Sequence, residues 1–147
     1  MKAKICAILG MAGSIMVSAL GGWDSGLATL IIFMAVDYTM GLIVAGIFRN
    51  SPKTKSGALE SRVGWKGLCS KCVTILFVLV AYRLDIIIGV SYIRNAVIIG
   101  FVANELISIV ENAGLMGIPL PSVLNGAIDI LTKKTEEKKE HDESEGG

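Results

Sequence analysis

Chemically equipped residues are scarce in this chain. It holds one histidine, His141, so no His-centred catalytic grouping can be assembled. Neither a Walker loop nor a G-x-G-x-x-G run is present, which removes nucleotide chemistry. The three cysteines, Cys6, Cys69 and Cys72, make no secreted disulfide framework. "CSKC" lacks both a second ligand pair for zinc and a βαβ context for redox work, so its cysteines read as ordinary helix residues. Only 18% of the 147 residues are charged, at a net +1. No enzyme, cofactor, metal or nucleic-acid partner is expected, and no segment is long enough for a second, soluble domain.

What is abundant is apolar sequence: 52% of residues are hydrophobic and the mean hydropathy is +0.63. The pattern predicts an all-α integral membrane protein with about four transmembrane helices, near 5–20, 27–48, 68–88 and 92–110. Arg83, Asp85 and Arg94 crowd the last connection, so a three-crossing form with one broken hairpin is the alternative. Beyond these helices "GLMGIPLPSVLNGAIDIL" stops at glycine and restarts behind Pro119 and Pro121. Val123, Leu124, Ala127, Ile128 and Leu131 share one face there, as in a short amphipathic surface helix over about 121–131. Residues 1–131 thus form the membrane domain, and the charged tail, 132–147, is expected to be disordered.

The first apolar segment, behind Lys2 and Lys4, has the look of a signal peptide with small residues at Val17 to Ala19. Gly10, Ser14, Ser18 and Gly22, however, recur every four residues, a small-residue ladder that favours a retained, closely packing helix. Gly41 and Ala45 are a similar helix-packing pair in the second segment. Arg49, Lys53, Lys55, Arg62, Lys66 and Lys71 face Glu60 alone between the second and third helices. With four crossings this loop and both termini share one side, and the positive-inside rule makes that side cytoplasmic.

The second helix, "LATLIIFMAVDYTMGLIVAGIF", carries one charge in 22 residues, Asp37 near its middle. Its eleven Leu, Ile, Phe and Val residues favour insertion by roughly 0.3–0.6 kcal/mol each against about 2.5–3.5 for the acid, so insertion wins narrowly. An acid retained at that cost is a candidate functional group, or else structural glue between helices. The fourth helix adds "FVANELISIVEN". At 100° per residue Arg94, Asn104, Glu105, Ser108, Glu111 and Asn112 fall within an arc of about 120°, a polar stripe opposite a lipid face. Packing by interhelical hydrogen bonds explains the serine and asparagines equally well, but Glu105 needs a cation, a shared proton or water.

"DYTMG", the basic "SPKTKSG" and "GWKGLCSK" loop, "ANELISIVEN" and "LMGIPLPSVL", in that order, resemble the toxin-secretion and phage-lysis holin family, which includes clostridial toxin exporters. The resemblance covers roughly Leu27 to Leu131, and its matching residues are Asp37, Asn104, Glu105, Ser108, Glu111, Asn112, Gly117, Pro119 and Pro121. It implies a protein that accumulates in the bacterial cytoplasmic membrane, forms homo-oligomers and opens lesions that release an endolysin or export a toxin, without direct contact with that cargo. A small proton-coupled transporter using Asp37 or Glu105 is the alternative, and a membrane scaffold recruiting a partner through its charged tail is a third reading.

Overall fold

The computed structural model describes residues 1–145, with side chains through Lys134, and contains helices and no strand among them. They are α1 (Lys2–Ala19), α2 (Ser25–Ile43) continued by a π-helical turn (Val44–Phe48), α3 (Ser61–Ile88), α4 (Ile93–Leu115) and α5 (Ser122–Glu145). By length and composition α1, α2 with its π-helical end, and α4 can each cross a membrane.

Local chemistry sets the helix ends. Asp24 caps α2 by accepting a hydrogen bond from the Leu27 amide at 2.8 Å. Gly89, at φ 81°, closes α3 in the left-handed conformation that glycine tolerates best. The connection to α4 is then tied by Asp85, whose carboxylate accepts from the Ile93 amide at 2.9 Å and the Arg94 amide at 3.0 Å. Two otherwise orphaned donors at the N-terminus of α4 are satisfied in this way. Asp85, which merely crowded the boundary in sequence, defines it.

Helices α2, α3 and α4 form the packed unit. Leu27, Leu30, Met34, Val78, Ile98 and Val102 make its core together with Leu20, and Phe77 and Phe101 stack at 6.2 Å. Arg94 at the start of α4 reaches Gly22 and Asp24 at the start of α2, while the Asn50 side chain donates to the Leu115 carbonyl at the far ends. These two helices therefore run the same way. On α3 the order is reversed: the Tyr38 hydroxyl of α2 meets the Gly64 carbonyl, and Tyr82 lies against Gly21. Helix α3, which carries Lys71, Arg83 and Asp85, thus runs antiparallel to α2 and α4.

Several expectations are corrected in detail. The third helix starts at Ser61 rather than 68, and the fourth reaches Leu115 rather than 110. Gly22 has left α1 for the turn, at φ 92°, so it does not extend the ladder of Gly10, Ser14 and Ser18. Among the described residues α1 buries none of its own, and a Cβ at Gly10 would have no neighbour within 4 Å. Gly41 is equally open, whereas Ala45 is buried. The last helix is about twice the expected length, running through the charged tail to Glu145. Its Lys and Glu residues are good helix formers. It packs on α4, with Leu124, Ala127, Ile128 and Leu131 half-buried, but Val123 is 76% exposed and lies off that face.

Candidate functional site

The polar stripe of α4 divides in two. Glu105, Ser108 and Asn112 turn inward and meet Asp37 of α2, while Asn104 and Glu111 are exposed. What joins the inward group is Lys71 of α3. Its ammonium donates to Asp37 Oδ2 at 2.8 Å and to Glu105 Oε2 at 2.5 Å. The second oxygen of Asp37 accepts from Ser108 Oγ at 2.5 Å and Asn112 Nδ2 at 3.0 Å. Asp37 thus accepts from three side-chain donors on two other helices, so both of its oxygens are partnered.

Asp37 and Glu105 are 7% and 5% exposed, and Lys71 is nearly as enclosed, so each charge has lost most of its water. Mutual pairing offsets that loss. Two carboxylates against one ammonium still leave one formal negative charge, and the surroundings show how it is accommodated. A cavity of about 430 Å³ runs from Asp37, Lys71 and Glu105 to the loop residues Ser51, Lys53 and Glu60. The cluster lies about 15–18 Å from the helix ends yet is open to water from the loop end.

Lys71 is the residue that the sequence reading missed. In sequence it reads as the last charge of the basic loop, at the margin of a third helix starting near 68. The signal was nevertheless present: Lys71, Thr74, Val78, Ala81 and Asp85 recur at helical spacing, and the last four are the buried residues of α3. Lys71 continues that inward face one turn further.

Arg94, though on the same arc as Glu105, belongs elsewhere. It is 6% exposed, and its guanidinium donates to the Leu20 carbonyl at 2.5 Å, the Gly22 carbonyl at 3.1 Å and the Asp24 carboxylate at 2.5 Å. Eleven residues, or about 16 Å along α4, separate it from Glu105. This clamp fixes the turn from α1 to α2. The hydrogen bond from Arg94 holds the Asp24 carboxyl below its usual range. Gly21 makes the approach possible: a Cβ there would lie 2.8 Å from the Tyr82 ring and 2.9 Å from Arg94 Nε.

Among the described residues no group of His, Cys, Asp or Glu is arranged to hold a metal, and Cys6, Cys69 and Cys72 are free and exposed. The arrangement supports charge burial and hydration. Fold and site define a small multi-spanning helical membrane protein whose centre is an internally paired ionic cluster.

Comparison with known proteins agrees and is more specific. The profile of the bacteriophage holin family matches residues 14–133, and the chain belongs to that family. An uncharacterised Listeria monocytogenes protein is 36% identical over 92% of this chain and 91% of its own length. A Clostridium perfringens protein is 32% identical over 88% of this chain and 93% of its own. A Bacillus phage phi105 protein named "probable holin" is 27% identical over 80% of this chain and 82% of its own. No solved structure matches.

Proposed function

We propose that the protein acts as a holin: it accumulates in the bacterial cytoplasmic membrane, with both termini on the cytoplasmic side, assembles with copies of itself and then opens lesions that release an endolysin. The observation that carries this reading is the Asp37–Lys71–Glu105 cluster. Three helices contribute charges that are satisfied among themselves in the packed bundle. The same groups find equal or better partners in bulk water, so a bundle whose helices separate around water loses little polar pairing. The protomer is closed while paired and tolerant of a wet lumen when parted. Export of a toxin would use the same opening.

The proton-coupled transporter remains a second reading because the cavity joins the acidic cluster to the loop end of the bundle. The two part in expression alone. A holin should accumulate without visible effect and then abruptly collapse the membrane potential; with a signal-less endolysin the same moment should bring lysis. Steady growth with pH-driven solute uptake and no enzyme release at any expression level would reject the holin reading.

A further inference from the structure

Two polar side chains of α4 are exposed on the outer part of its stripe, Asn104 at the edge of the cavity and Glu111 beyond it. Asn104, Ile107, Glu111 and Gly114 are all exposed and lie within an arc of about 80°. Asn104 sits about 16 Å from the end of α4 and Glu111 about 6 Å from it. Polar groups so placed on a membrane helix are expensive unless covered.

The neighbouring edge of α3 carries their complement. Lys66 and Ser70 are exposed and, with Asn104 and Ser108, line the central cavity, so the cavity reaches the outer seam between α3 and α4. Lys66 lies five residues into α3, about 7–8 Å from its start, and that start lies at the same end of the bundle as Leu115. Lys66 and Glu111 are therefore on one face at nearly one depth. Neither is in an ion pair among the described residues.

We infer that this α3/α4 face is the docking surface for a second copy of the chain, related by a two-fold axis along the membrane normal. Such an axis keeps every level with itself, so Lys66 of one copy meets Glu111 of the other and the pairing is made twice. Asn104, both donor and acceptor, is covered at the same time, and the side opening of each polar cavity is shut off from lipid. The exposed half of the α4 stripe then serves assembly, and the buried half holds the protomer together. This rests on the holin reading only in supposing that copies meet in the membrane.

Cysteine cross-linking in isolated membranes, before any lysis and without endolysin, tests it. In a chain with Cys6, Cys69 and Cys72 replaced by alanine, Ile107→Cys should oxidise to a disulfide-linked dimer. A variant retaining only Cys72, about 120° round α3 from Lys66, should remain monomeric. In the Ile107→Cys chain, Lys66→Glu and Glu111→Lys should each weaken dimer formation by about tenfold and the two together restore it. A monomer at Ile107→Cys, a dimer through Cys72 instead, or single swaps without effect would overturn the proposal. The Ile107→Cys arm alters no charge, so a swap that fails to insert leaves the test standing. A dimer without permeabilisation on expression would count against the holin reading alone, and permeabilisation without the dimer against this surface alone.

Discussion

The two cations paired inside this bundle, Arg94 and Lys71, do different work. Arg94, at one end, is held largely by backbone carbonyls of the turn it fixes and by Asp24 beside them. Lys71, at the centre, is held only by side chains, one from each neighbouring helix. A backbone-anchored clamp is lost when the turn itself unfolds. A side-chain cluster at the meeting point of three helices, beside a cavity, is lost when the helices move apart, with their secondary structure intact. The first contact preserves a shape and the second preserves a choice between two shapes.

Removing the central cation should have the largest effect. Lys71→Met leaves Asp37 and Glu105 buried together without a cation, a loss on the order of 3–5 kcal/mol. The variant should accumulate poorly, measured as protein in the membrane fraction, or act early if it accumulates. Parental amounts and parental timing would show that the cluster is no more than tolerated.

Gly21→Ala should come next. Its φ of 89° and the contacts under 3 Å that a Cβ would make with Tyr82 and Arg94 force the clamp to shift, at a cost of about 1–3 kcal/mol. The expected result is a lower thermal midpoint in detergent with little change in the timing of permeabilisation. A timing change as large as that of Lys71→Met would erase the distinction between end and centre.

The smallest effect belongs to Asp24. Asp24→Ala removes a helix cap and one of the partners of Arg94, worth about 1–2 kcal/mol. Because Arg94 lowers the Asp24 pKa, the contribution is complete above 3.8 and is lost only as the pH falls through the lower folded value. Labelling of a cysteine at Ser25, taken at each pH relative to a free thiol under the same conditions, should therefore be unchanged between pH 7 and pH 5 in the parent and raised at both in Asp24→Ala. A rise in the parent over that interval would contradict the clamp.

The helices were legible because apolar runs of 20 residues leave few alternatives. Asp37 and Glu105 stood out because a carboxylate in such a run is costly. Which residues met was harder to see. A stripe drawn by angle treats all its members alike, whereas α2 and α3 cover only part of it, leaving Asn104 and Glu111 outside while Glu105 turns in. Arg94 shows the same limit along the axis: it shares the angle of Asn112 but lies at the other end of the helix. Lys71 was hidden by its neighbourhood, since a lysine directly after "CS" and five beyond Lys66 reads as loop charge until the helix is known to begin at Ser61.

The central claim, that the cluster at Asp37, Lys71 and Glu105 holds the protomer closed, is tested most directly by the time of membrane-potential collapse in Glu105→Gln, set against the amount of protein in the membrane. Glu105→Gln removes the excess negative charge and leaves Lys71 paired with Asp37, so the closed bundle should be steadier and collapse should come later than in the parent at equal abundance. Collapse at the parental time, or earlier, would contradict it.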